Sequence, residues 1–312
     1  MFLAALLKGE STMNIYQTVT HRILEQLKGG QIPWRKTWSG GIPKSLTTGK
    51  EYRGINVLIL GSACFTSRYW VTFLEAKRLG GHIRKGERST PVFFWKWRDR
   101  DELQRVAEET GKENPPPFFQ RTAAVFNLDQ VEGLPRPSDD VSSQPHGRLD
   151  VADRVFEVMP NKPAIVHGVN CQPAYIPHMD RVELPHLSQF EGAEEYYAAL
   201  FHELVHATGH PKRLNRFADL KGVSFNPYSF EELVAEFGAA FLCTFAGVDN
   251  PGTDALQASY IDGWAKALEH DNRLIVRAAS AAQRAADYIR GKLPADFRHD
   301  ASAGSPREAI AS

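Results

Sequence analysis

Apolar residues Ile15, Val19, Ile23 and Leu27 recur every fourth position in NIYQTVTHRILEQL, so the spacing predicts a helix over about 14–27, closed by Gly29-Gly30. The period is then lost. IPWRKTWSGGIPKSLTTGKEYRG is dense in Pro, Gly and Trp, the pattern of an ordered loop, and INVLIL behind it is a short apolar element. Thr72-Phe-Leu-Glu75 reads as a capping box opening a short helix that stops at Gly80-Gly81. In PVFFWKWR the period is two: Phe93, Trp95 and Trp97 share one face, and Phe94, Lys96 and Arg98 the other, as in a strand. Residues 99–117 are charged and end in three prolines, an exposed excursion before a second strand in RTAAVFNLDQ.

GLPRPSDDVSSQPHGRLD is polar, aperiodic and broken by Pro and Gly, which marks a linker. The expected organisation is a first domain over 13–132, a linker over 133–149, a second domain over 150–292 and a disordered polar tail over 293–312. The second domain offers a helix near 150–158, short strands in AIVHG and AYIPHMDRVELP, and a run of helices. The predicted class is α+β in both domains, the first a small antiparallel sheet with helices against it.

Charge sharpens this division. The chain is neutral overall, yet residues 1–98 carry 16 Lys and Arg against 5 Asp and Glu, a net of +11, and the remainder carries −11. Five of the six tryptophans, Trp34, Trp38, Trp70, Trp95 and Trp97, lie in the basic segment. Cations that track phosphates, with rings on which bases stack, are what a sequence-nonspecific single-strand DNA binder needs. The candidate contacts are Trp34, Arg35, Lys36, Trp38, Lys44, Arg53, Arg84, Lys85, Arg88, Trp95, Lys96 and Trp97. About half the tryptophans are needed instead as core, since a sheet covered by helices requires an apolar face.

No apolar run approaches the roughly 20 residues that span a bilayer, so no membrane partner is expected. MFLAALLKGE lacks the basic start of a signal peptide, and Met13 is an alternative start. Three cysteines, Cys64, Cys171 and Cys243, form no CxxC pair, which fits a reducing cytoplasm.

The sharpest motif is His202-Glu203-Leu204-Val205-His206, inside the helical pattern YYAALFHELVHAT. Residues four apart share a helix face, so both imidazoles can reach one ion. Glu203 then stands beside that ion, placed to take a proton from water and pass it to a leaving amine. Apolar neighbours bury the helix, and buried paired imidazoles without a ligand are costly. For the third ligand, Lys212 stands where a further histidine is wanted, and His210 lies just before helix-breaking Pro211. Glu232 in SFEELVAEFGAAFL is favoured, with Glu236 one turn later orienting an imidazole, and Gly238 letting the two helices approach. Glu231 is the other candidate ligand. Ser229-Phe-Glu-Glu232 is also a capping box, which would turn Glu232 back to its own helix start. Tyr196, Tyr197 and Tyr228 are each able to stabilise an oxyanion. Two imidazoles and a carboxylate suit Zn2+, with another divalent transition metal second.

NIYQTVTHRILEQLKGGQIPWRKTW, YRGINVLIL, YWVTFLEAKRLGGHIRKGERSTPVFFWK and FNLDQVEGL, followed by FHELVHATGHPKRLNR and EELVAEFGAAFL, together resemble the ArdC-type antirestriction proteins of conjugative plasmids. The N-terminal blocks are also similar to TraC-type primases. The resemblance implies an N-terminal single-stranded-DNA-binding domain and a C-terminal zincin-like metallopeptidase domain. It also implies a role in protecting incoming plasmid DNA from host restriction during conjugation. Carried over by position, the metal ligands are His202, His206 and Glu232, with Glu203 as the catalytic base. The expected protein substrate is a restriction enzyme or a DNA-bound host factor. The competing readings are a non-proteolytic DNA-shielding protein with a structural metal, and a protease acting on DNA–protein crosslinks.

Overall fold

A computed structural model describes residues 15–29, 32–34, 41–63, 65–111, 118–138, 148–168, 172–219, 226–248 and 257–292. Arg35, Lys36, Trp38, most of the expected linker and the tail from 293 lie outside them, as do the side chains of Trp95, Lys96 and Trp97.

Helix α1 (Ile15–Lys28) buries Val19, Ile23 and Leu27, three members of the stripe that predicted it. Next come β1 (Lys44–Ser45), α2 (Ile55–Gly61), β2 (Tyr69–Thr72), α3 (Phe73–Arg78), β3 (His82–Ile83), β4 (Thr90–Trp97), α4 (Arg100–Thr110), β5 (Phe118–Asn127) and β6 (Val131–Glu132). The main sheet has the order β1-β2-β5-β4. Its β2–β5 and β4–β5 pairs are antiparallel, but β1 joins β2 in parallel, so the expected antiparallel sheet is mixed at one edge. INVLIL is a helix, buried at all seven positions of α2, and a helix apolar all round is one enclosed on every side. Buried Asn56 donates to the Phe93 carbonyl (2.7 Å) and accepts from the Phe93 amide (2.8 Å), docking α2 on β4. The charged excursion takes the form of α4, capped by Asp99 accepting from the Glu102 amide (2.8 Å) and ended by Gly111 at φ 66°. No residue of α4 is buried, so no apolar stripe marked it in advance.

The second half contains α5 (Arg148–Glu157), β7 (Ala164–Gly168), β8 (Ala174–Ile176), β9 (Arg181–Pro185), α6 (Ala193–Thr208), α7 (Arg216–Asp219), α8 (Pro227–Ala246), α9 (Gln257–His270) and α10 (Leu274–Ile289). Its sheet has the order β7-β9-β8, with β7 parallel and β8 antiparallel to β9. Helices α6, α8 and α10 pack on one another, and α6 also lies against β8 and β9.

The two halves share one core. Val19, Leu27, Trp34 and Leu58 belong to the same buried cluster as Leu204, Leu233, Trp264 and Ile275. Helix α1 packs on α9, and α2 on α10. Polar ties reinforce the junction: Thr20 donates to the Asn272 carbonyl (3.0 Å), and Arg53 pairs with fully buried Asp287 at 2.5 Å.

This packing corrects two of the expected DNA contacts. Trp34 is 1% exposed and serves as core, so its ring is not presented to bases. Arg53 is committed to the buried Asp287 carboxylate, which Lys292 also approaches at 3.8 Å. Lys44 is half-buried in β1, whereas Arg84, Lys85 and Arg88 are exposed in the turn between β3 and β4. Among the described residues no helix is long and apolar enough to cross a membrane.

Candidate metal centre

The site is built on two crossing helices. Helix α6 carries Glu194 and Glu195 in its first turn, where negative charge complements the helix dipole. Helix α8 is capped by Asn226, which accepts from the Tyr228 (2.9 Å) and Ser229 (3.3 Å) amides, and Pro227 occupies its first turn. Because Asn226 is the cap, the capping box read at Ser229 does not form. Glu232 therefore lies one turn inside the helix, facing α6.

The close crossing depends on Gly238. A Cβ there would stand 2.6 Å from Val205 Cγ2, so only glycine allows this separation. Gly238→Ala is expected to cost about 1–3 kcal/mol through overpacking. It should also weaken metal binding, because Glu232 moves with α8. Chemical denaturation and a metal titration of the variant check both. Gly209 plays a comparable part at the end of α6, where the Phe217 ring would lie 2.4 Å from an added Cβ.

The structure brings His202, His206 and Glu232 together, with a ligand atom of each inside 4.8 Å of the others. His202 Nε2 is 3.1 Å from His206 Nε2, and Glu232 oxygens lie 3.6 Å from each nitrogen. Bonds of about 2.0–2.1 Å to a tetrahedral ion put its ligand atoms about 3.3–3.4 Å apart. The donor set fits such an ion in both chemistry and spacing.

Electrostatics point the same way. Burial alone would lower the His202 pKa. The Glu232 carboxylate and the charges of Glu203 and Glu236 outweigh it and push the imidazole up to about 9. Burial likewise works to raise Glu232, but His202 and His206 hold its carboxyl below the usual range. Carboxylates that stabilise a protonated imidazole so firmly are equally suited to holding a divalent cation. Glu203 itself is 7% exposed, on α6 beside His202.

Behind the donors stand two further carboxylates. Glu236, expected to orient an imidazole, has Oε1 3.9 Å from His202 Nδ1. Glu231, weighed above as a ligand, instead faces the back of His206, with Oε1 3.2 Å from Nδ1. It is held by a buried fork from Arg216, whose Nε (2.9 Å) and Nη2 (2.5 Å) donate to its two oxygens. Arg216 also donates to Thr208 Oγ1 and the Val205 carbonyl, tying the fork to the end of α6. Burial would raise the Glu231 pKa, and Arg216 and His206 lower it. Sequence reading missed Arg216. The available signal was the Glu231-Glu232 doublet in an apolar helix, which requires buried positive charge nearby.

Other candidates point elsewhere. His210 Nδ1 lies 3.9 Å from Asp180 and accepts from the Lys212 amide, in a polar cluster centred on the buried side chain of Arg213. Tyr197 donates to Asp153 (2.6 Å), and the Tyr196 hydroxyl lies 3.0 Å from His167 Nε2. Tyr228 is 61% exposed, one turn before Glu232. Cys243 is buried in α8.

Residues 13–126 match the family described as the N-terminal domain of the anti-restriction factor ArdC, and residues 152–281 match a zincin-like metallopeptidase family. Among solved structures, the metal-free antirestriction protein ArdC from plasmid R388 has a TM-score of 0.72 at 33% identity, covering 90% of this chain and 98% of that one. The Mn(II)-bound form gives 0.70 at 34% identity with the same coverage. The DNA primase TraC of Escherichia coli is 35% identical over 297 residues, covering 88% of this chain but 27% of TraC, so the chain spans about a quarter of that relative. An uncharacterised protein, y4eC, of Sinorhizobium fredii is 33% identical and covers 90% of this chain and 92% of its own length. With both family domains present in order and the fold shared along nearly its whole length, the chain belongs to the ArdC antirestriction family.

Proposed function

We propose that this protein binds single-stranded DNA through its N-terminal half and hydrolyses peptide bonds at a zinc centre held by His202, His206 and Glu232. The observation that carries the reading is the convergence of those three donors at coordination spacing, with buried Glu203 adjacent. A bound ion would supply Lewis acidity to a substrate carbonyl and to an attacking water. The rest falls to the chain. Glu203 removes a proton from that water and delivers it to the amine released when the C–N bond breaks. We assign to Glu231 and Glu236 the holding of the imidazoles by their Nδ1 sides, and to Tyr228, the exposed phenol of the three, the stabilising of the oxyanion. Two imidazoles and a carboxylate favour Zn2+. The Mn(II)-bound R388 relative makes Mn2+ the competing ion.

The substrate we infer is a protein encountered on incoming plasmid DNA, a restriction enzyme or a DNA-bound host factor, in the bacterial cytoplasm. A purely shielding protein would have no use for a general base beside its metal, and Glu203 is intact. The direct test is hydrolysis of an unfolded protein in the presence of a single-stranded oligonucleotide. Activity should stop with excess chelator and return with zinc. Equal cleavage with and without chelator, or none in either case, overturns the peptidase reading.

With Trp34 and Arg53 assigned to the junction, the exposed cations of the β3–β4 turn become the leading phosphate contacts. Replacing Lys85 and Arg88 together by Ala is expected to reduce the slope of log Kobs against log salt by about 1.4, at about 0.7 per phosphate on single strands. An unchanged slope would remove this turn from the interface. Lys44, Arg35, Lys36, Trp38, Trp95, Lys96 and Trp97 remain proposed DNA contacts.

A further inference from the structure

We propose that Trp34, contributed by the N-terminal half, is a positioning residue of the metal centre in the C-terminal half. The inference rests on the metal-binding reading above. Trp34 Nε1 donates to Glu236 Oε2 at 3.2 Å, across 202 residues of sequence. The other oxygen of Glu236 faces His202 Nδ1 at 3.9 Å. The indole is fixed by edge contacts with Phe237 (4.8 Å) and Trp264 (5.3 Å), and it is 1% exposed. A chain of contacts therefore runs from the first half of the molecule, through one carboxylate, to a ligand imidazole.

The physical consequence concerns direction. When His202 Nε2 is committed to an ion, Nδ1 carries the proton, and a carboxylate receiving it fixes the ring and strengthens the donor. Glu236 has two oxygens and several rotamers with which to meet that demand. The indole N–H engages Oε2 and thereby holds Oε1 toward His202. The peptidase half is thus completed by a residue of the half that the sequence assigns to DNA, which gives the shared core a functional reason.

Loss of an outer hydrogen-bond partner typically weakens metal binding about 10–100-fold. Trp34→Phe keeps an aromatic ring but deletes the pyrrole part with its N–H, and about tenfold weaker zinc binding is expected, the lower end of that range because it acts through Glu236. The measurement is zinc affinity of the full-length metal-free protein, by competition with a chromophoric chelator. It is made for the wild type, Trp34→Phe, Glu236→Leu and the double variant, with thermal melts of each metal-free form. The inference predicts that Trp34→Phe has little further effect once Glu236 is Leu, because the two act as one unit. Cobalt(II) spectra should show the same altered ligand field in all three variants. The wild type provides a readout needing no Trp34 variant: one indole N–H resonance should shift on adding zinc, and that response should vanish in Glu236→Leu.

Wild-type affinity in Trp34→Phe overturns the inference. So does an equal tenfold loss on the Glu236→Leu background, since the indole would then act through general packing. A wild type that binds no ion overturns the metal reading itself, and this inference with it.

Discussion

Glu203→Gln is expected to lower peptide hydrolysis by about 10²–10⁴-fold, the usual contribution of a positioned general base. Gln matches Glu in size and hydrogen-bonding reach but cannot accept the proton of an attacking water. The side chain is buried on α6, so an isosteric change preserves its packing. Glu203 is absent from the set of converging donors, which consists of His202, His206 and Glu232. Metal affinity should therefore stay within a few-fold of wild type, and the loss should appear in kcat more than in KM. The check is steady-state hydrolysis together with zinc content. A variant that cleaves at the wild-type rate would remove Glu203 from the chemistry, and one that loses its metal would reassign it as structural.

Arg216→Met should have the largest effect on stability. The guanidinium is 7% exposed and satisfies Glu231, Thr208 and the Val205 carbonyl at once. Removing it leaves a buried carboxylate without its counter-charge, which costs about 3–5 kcal/mol. At about 2–4 °C per kcal/mol for a chain of this size, the melting temperature should fall by about 6–20 °C. A companion variant separates stability from metal binding. With Glu231→Gln added, no buried charge is stranded, and much of the lost stability should return. Zinc affinity should stay depressed by about 10–100-fold, because His206 has lost its carboxylate partner. A single variant within about 1 kcal/mol of wild type would contradict the buried fork.

Periodic features were legible in the sequence. The stripe of α1, the alternation of β4 and the capping box of α3 each express a repeat or a local hydrogen-bond pattern that needs no distant partner. The pairing of His202 with His206 was legible for the same reason, since helix geometry alone puts residues four apart on one face. Helix α4 was not, because an exposed helix carries no apolar stripe. The place of Glu232 was only partly readable. Ser229 and Asn226 both had the chemistry of a cap, and which one capped α8 decided where Glu232 stood. The roles of Trp34 and Arg53 were out of reach because each depends on a partner far along the chain, Glu236 and Asp287 respectively. Counting charge and aromatic rings in the first 98 residues could not separate those facing solvent from those facing the second half.

The central claim is that hydrolysis at this centre, addressed to DNA by the N-terminal half, is what protects the plasmid. The most direct measurement is the transfer of a restriction-sensitive plasmid by conjugation into a restricting host, with wild-type protein or Glu203→Gln supplied. The variant must first be shown to retain zinc and single-strand affinity. The account predicts that protection is lost in the variant and that transfer into a non-restricting host is unaffected. Protection by Glu203→Gln equal to wild type would contradict it and place the protective action in DNA binding alone.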